Sequence, residues 1–231
     1  MFLDATINKS NLINIKKNIK KYNSKPNKIQ IIAVTKNFSY CAIQSANENK
    51  IQIVGENKVQ ETIEKIKNRK LPTNIEIHLI GHLQSNKAKK AVNIYSTIQS
   101  VDSIQIAEKI NFYAKKNKKK QKIFLQINIA KQKTQFGFDQ ENIYNAAETI
   151  KKLKNIQIEG VMVIAPNTKN KPTINQAFKK AKEIKNKIQK NIVSTCRFLS
   201  AGMSNDYDIA LQNGATHLRL GTILYNKIEQ K

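Results

Sequence analysis

The 231-residue chain carries 41 Lys and Arg against 16 Asp and Glu, a formal charge of +25, with 40% hydrophobic residues. That is length and apolar content for one large domain, spanning 1–231, and a single α/β barrel is a common use of that length. No run of 18 apolar residues occurs, which excludes a spanning helix, and Met1-Phe2-Leu3-Asp4-Ala5 lacks the basic-then-apolar pattern of a secretory leader. The expected location is therefore cytoplasmic, with no membrane partner. Cys41 and Cys196 have neither CxxC spacing nor clustered histidines, so they read as free thiols, with no metal site and no disulfide framework. Only Arg69, Arg197 and Arg219 are arginines, and the remaining basic residues are lysines spread over nearly every predicted helix of a chain also rich in Asn and Ile. Codon bias toward A and T explains that composition at least as well as function does, and a specific nucleic-acid partner, which would call for clustered Arg, is not expected.

In chain order, a 3.6-period segment at about 8–22 predicts an opening helix, and the apolar run 29–34 predicts a first strand that breaks at Lys36. Ser39 then caps a helix over 40–49, followed by a strand at 51–54 and a helix over 56–68. The run 75–80 is a third strand ending at Gly81, with Ser85 as the next cap. A strand at 97–101 leads through Asp102, read as a cap, to a helix over 103–116, and the Lys-rich stretch 115–122 is a solvated helix end. A strand at 123–129, with Asn128 at its end, is followed by an Asp139 cap and a helix over 141–154. Strand 158–164, helix 173–189 and short strands at 197–199 and 217–220 complete the chain. Eight strand and helix alternations behind an extra N-terminal helix predict an α/β fold, a single (β/α)8 TIM barrel; a doubly wound open sheet is the alternative.

Barrel chemistry sits at the C-terminal ends of the strands. There the pattern places Lys36, Glu56, Asn57, Gly81, Asn128, the turn Ser200 to Ser204, and Arg219 to Thr222. One amine and two Gly-hydroxyl turns are the parts a pyridoxal 5'-phosphate site needs: the aldehyde condenses with a lysine, and backbone N–H groups at strand-to-helix turns hold the phosphate. Ser200, Gly202 and Ser204 would form one phosphate wall, Gly221 and Thr222 the other. Position alone singles out Lys36 among the lysines; as a nucleophile it must be neutral, which partial burial among cations would favour. The competing readings are a surface lysine opening a loop, and Gly and Ser serving only as turn residues. Arg219, inside Leu218-Arg219-Leu220, points opposite to its neighbours and so into the barrel near the rim, either beside a pyridine nitrogen or in a structural ion pair. His78 and His82 lack metal-ligand spacing and read as hydrogen-bonding residues.

Ala33-Val34-Thr35-Lys36, Gly55-Glu56-Asn57-Lys58-Val59-Gln60-Glu61, His78-Leu79-Ile80-Gly81-His82-Leu83-Gln84-Ser85-Asn86-Lys87, Leu199-Ser200-Ala201-Gly202-Met203-Ser204 and Arg219-Leu220-Gly221-Thr222 together resemble the pyridoxal phosphate homeostasis protein family, in order and spacing, from about residue 3 to 226. The resemblance implies the barrel shared with the N-terminal domain of alanine racemase. It also implies pyridoxal phosphate (PLP) held as a Schiff base on Lys36, with Ser200, Gly202, Arg219, Gly221 and Thr222 around its phosphate and ring and Asn57 nearby. The implied activity is carriage and buffering of PLP without catalytic turnover, and PLP-dependent apo-enzymes are the candidate recipients. The chain departs from the family pattern at Lys58, around Gln135 and at Tyr225-Asn226. A racemase-like enzyme is the alternative; it is disfavoured because the related racemases take a proton-shuttling residue from a C-terminal β-domain, which the few residues after the last strand are not expected to supply.

Overall fold

A computed structural model describes residues 2–22, 28–130 and 135–227. The chain opens with a short strand, β1 (Ala5–Ile7), and helix α1 (Lys9–Tyr22). Eight parallel strands follow: β2 (Gln30–Val34), β3 (Ile53–Glu56), β4 (Glu76–Leu79), β5 (Thr97–Val101), β6 (Gln121–Ile127), β7 (Ile156–Val163), β8 (Phe198–Ser200) and β9 (His217–Leu220). They close into a barrel in sequence order, with Ile32 of β2 beside Arg219 of β9. Helices α2 (Tyr40–Glu48), α3 (Val59–Ile66), α4 (Ala88–Ile94), α5 (Ile104–Lys116), α6 (Ile143–Ile150), α7 (Lys171–Asn191) and α8 (Tyr207–Gln212) connect them. The expected barrel and its extra N-terminal helix are therefore the observed architecture.

The strands read as near-continuous apolar runs because both faces are covered, by helices outside and by neighbouring strands' side chains inside. Each helix buries one stripe: Leu12, Ile15 and Ile19 on α1, and Ile174, Phe178, Ala181, Ile184 and Ile188 on α7. Inside the barrel, Phe124 and Phe198 each meet the ring of His217 edge to face, at 5.4 and 5.1 Å, and His78 stacks toward His217 at 6.4 Å. No described helix is long and apolar enough to cross a membrane.

Several boundaries differ from the sequence reading for identifiable reasons. Strand β10 (Tyr225–Lys227) pairs antiparallel with β1, a two-stranded clasp outside the barrel that three-residue segments do not announce by periodicity. Helix α3 starts at Val59 rather than at 56, because Glu56 completes β3 and turns its carboxylate onto Lys65. Ser39 caps α2 as expected, accepting from the Cys41 N–H at 3.2 Å. The cap of α5 is Ser103, which accepts from Ile106 N–H at 3.3 Å, and not Asp102, whose carboxylate is turned to His82. Asn142, not Asp139, precedes α6, and Ser85 lies inside a single 3-10 turn, Ser85–Lys87.

Candidate functional site

The C-terminal ends of the strands enclose a cavity of about 1200 Å³. Lys36, Asn57, Gly81, Arg219, Gly221 and Thr222 line it. Lys36 follows β2 in a turn whose next residue, Asn37, has φ 65°, a left-handed conformation that Asn tolerates better than most residues. The Asn37 carbonyl accepts from Leu3 N–H at 3.1 Å, so the N-terminal segment props the turn. Beneath it lies a fully buried ion pair between Glu56 and Lys65. Lys65 Nζ also donates to the Thr35 carbonyl, and the Thr35 hydroxyl donates to Glu56, both at 2.6 Å. Burial lowers the Lys65 pKa, opposed by the carboxylate of Glu56. The backbone immediately before Lys36 is thus clamped to β3 and α3, while Lys36 itself is exposed to the cavity rather than partly buried as the sequence reading expects.

Asn57 reaches the rim because Gly81 has no side chain: a Cβ there would stand 2.3 Å from the Asn57 carbonyl oxygen and 2.8 Å from its Cα. On the far side, Gly221 opens the turn that closes on Leu224 N–H at 2.8 Å, and Ser204 Oγ accepts from Ile223 N–H at 3.3 Å. The two predicted turns therefore meet, with Ser204 and Thr222 both on the cavity wall.

Arg219 is 4% exposed and points inward, as the alternation predicts. Its Nη1 donates to Ser200 Oγ and its Nη2 to the Val163 carbonyl, each at 2.8 Å. Burial pulls its pKa down to about 10, with Asp206 opposing. Asp206 accepts from Met203 N–H at 2.5 Å, and burial pushes its carboxyl up against the pull of that bond and of Arg219.

Ser200 and Gly202 stand differently from the other predicted residues. Ser200 is wholly buried behind Arg219 and does not line the cavity. Gly202 is also behind the wall, at φ 92°, where a Cβ would press within 2.7 Å of Ala210. Gly202 thus serves the close packing of α8 and, through its carbonyl, accepts from Arg219 N–H at 2.9 Å.

His82 is a hydrogen-bonding residue, as the sequence predicts, but its partner Asp102 was not foreseen. His82 Nδ1 and Asp102 Oδ2 are 2.8 Å apart, and the His82 ring stacks on Phe136 at 3.7 Å. The imidazole and the carboxylate thus form one hydrogen-bonded pair across the loops that follow β4 and β5. Asp102 directly follows β5 and His82 lies in the loop after the neighbouring β4, and that shared rim position is the signal that could have joined them. Gln135 also lines the cavity; its Nε2 donates to the Ile164 carbonyl at 3.3 Å, and its buried Oε1 has no hydrogen-bond partner among the described residues. Among the described residues no cluster of His, Cys, Asp and Glu could hold a metal.

A parallel barrel with a rim lysine, a buried arginine and a Gly-hydroxyl turn defines the class: the model of the alanine racemase N-terminal domain matches residues 10–227. Within it, the chain belongs to the pyridoxal phosphate homeostasis protein family. It is 34% identical over 200 residues to the member from Synechocystis sp., covering 87% of this chain and 92% of that one. To the member from Aquifex aeolicus it is 32% identical, covering 77% of both. Among solved structures, PipY of Synechococcus elongatus with PLP bound matches at 34% identity and TM-score 0.79, over 92% of this chain and all of that one. The alanine racemase of Clostridium difficile, 22% identical with TM-score 0.72, shares the fold over 59% of its own length.

Proposed function

We propose that this protein is a cytoplasmic, single-barrel carrier that binds and buffers pyridoxal 5'-phosphate through a Schiff base on Lys36, without substantial catalytic turnover. The observation that carries the reading is that Lys36, the buried cation Arg219 and the Gly221-Thr222 turn line one cavity. The residues fit the group. PLP supplies an aldehyde that condenses with a primary amine; of the lysines that line the cavity, Lys36, Lys169 and Lys171, Lys36 is the one placed at the end of a barrel strand. Thr222, Ser204 and the N–H groups of the turn after β9 suit a phosphate, as is usual for the last loops of a barrel. Asn57 stands beside Lys36 to orient the ring, while Gly202 and Ser200 act from behind the wall. The homeostasis name of the relatives supports carriage over catalysis.

Release to PLP-dependent apo-enzymes follows from the open setting of Lys36, where an incoming amine can displace it. The racemase-like alternative draws on the shared fold and on the His82–Asp102 pair. It is the weaker reading because a guanidinium cannot protonate a ring nitrogen as an acid would, and so leaves a poor electron sink for a carbanion. The test is the purified protein with PLP and amino acids in deuterated solvent. A yellow protein with no α-deuterium exchange coupled to racemisation is expected; racemisation at about 1–10³ s⁻¹, the ordinary enzyme range, would replace the carrier with an enzyme.

A further inference from the structure

We propose that Ser200, Gln99 and His78 form a one-way hydrogen-bonded relay through the inside of the barrel that positions Arg219 at the cavity and ties it to Glu76 at the opposite end. This rests on the reading of the cavity as a PLP site only in what Arg219 is positioned for.

The polarity of the relay follows from the chemistry of its ends. A guanidinium can only donate, so Ser200 Oγ accepts from Arg219 Nη1 at 2.8 Å. The Ser200 hydroxyl then gives its own hydrogen to Gln99 Oε1, at 2.7 Å. That fixes the amide orientation: Gln99 Nε2 faces His78 Nδ1 at 2.8 Å and donates to it. His78 must therefore be neutral with its hydrogen on Nε2, and that nitrogen faces Glu76 Oε2 at 3.4 Å. Every hydrogen points the same way, from the cation toward the carboxylate, and bonds polarised in series strengthen one another in a low-dielectric interior.

The surroundings agree with this assignment. Gln99 and Ser200 are 0% exposed and His78 is 3% exposed, so the links from Arg219 to His78 are shielded from competing water. Burial lowers the His78 pKa and keeps the ring neutral. Glu76 is half-exposed, and the hydrogen bond from His78 is the first cause holding its pKa at about 2. The relay begins at the first residue of β4, crosses β5 and β8 and ends on β9. It explains why Ser200 sits in a cofactor-binding motif without lining the cavity: its hydroxyl orients Arg219 and is not itself a ligand contact.

The test has a ligand-free arm. Nitrogen-15 NMR of the apo protein should show His78 protonated at Nε2 and bare at Nδ1. In Gln99→Glu the carboxylate can no longer donate, and the His78 hydrogen should appear on Nδ1. In the second arm, Gln99→Met should weaken PLP binding about tenfold, the effect of one lost buried hydrogen bond, and shift the visible band of bound PLP. Ser200→Ala should do the same, and both readouts pass to it where Gln99→Met does not fold. A wild-type His78 protonated on Nδ1, or a folded Gln99→Met or Ser200→Ala variant with unchanged affinity and band, overturns the relay. Should the wild-type protein take up no PLP, the functional reading fails, while the NMR arm still decides the relay.

Discussion

At the scale of single residues, the site rests on a lysine that is unremarkable in itself. The chain holds many lysines, and Lys36 differs in following Ile-Ile-Ala-Val-Thr at the end of a strand, so alternation and position made it legible. Arg219 was legible for the same reason: a charge inside an apolar alternation must point into the barrel. Ser200 and Gly202 were legible as important but not in role, because a sequence motif shows that Gly and Ser are needed without showing which side of the wall they occupy. Gln99, Glu56 and Lys65 were not legible as partners, since a long polar side chain inside a barrel is recognised only once its neighbours in space are known. Thr222, by contrast, is exposed on the cavity wall, and the proposed function has it bond the phosphate directly. A hydrogen bond to a charged group is worth roughly 1.5–3 kcal/mol, so Thr222→Ala should bind PLP about ten- to hundredfold more weakly at unchanged thermal stability. Titration of the variant with PLP measures this, and an affinity within twofold of the wild type would move the phosphate off this turn.

At the scale of elements, the repeat of strand and helix was readable because each strand is an apolar run and each helix an amphipathic one. The β1 and β10 clasp and the starts of α3 and α5 were not, because short strands carry no period and a side chain such as Asp102 can cap or pair with equal ease. Two contacts between elements carry predictions. Gly81 lets the end of β4 approach the loop after β3, and Gly81→Ala would set a Cβ against backbone atoms of Asn57. Overpacking of that kind costs about 1–3 kcal/mol, so the variant should melt lower and bind PLP more weakly as Asn57 is displaced; unchanged melting would contradict the close approach. The second contact is Lys65, which fastens α3 to β2 and β3 through Thr35 and Glu56. Lys65→Met leaves the Glu56 carboxylate buried and uncompensated, a loss of about 3–5 kcal/mol, and urea unfolding should register it. A loss below about 1 kcal/mol would place the pair in solvent instead.

At the scale of the whole molecule, the barrel buries two histidines as neutral rings, and stability should therefore depend on pH. Burial first, then His78 and Arg219, lower the His217 pKa from 6.5 to about 3. Between those values the unfolded chain binds a proton that the folded chain does not, so stability is full above 6.5 and is lost as the pH falls. The slope is about 1.4 kcal/mol per pH unit for one such group; His78 acts in the same sense, while the raised carboxyls of Asp206 and Glu159 oppose it at lower pH. His217→Phe, joining the rings of Phe124 and Phe198, should flatten the fall from pH 6.5 to 4.5 in denaturant titrations; parallel curves for the two proteins would contradict a neutral, buried His217. The high net charge, although the first thing the composition displays, plays no part in this account, since its lysines are distributed over the helices while the cavity draws on a few of them. The central claim is that Lys36 bonds the cofactor, and borohydride reduction of the PLP-loaded protein followed by peptide mapping tests it most directly. The account predicts one pyridoxyl-labelled peptide carrying Lys36, with labelling abolished in Lys36→Ala; specific labelling at another lysine, or undiminished labelling of the variant, would contradict it.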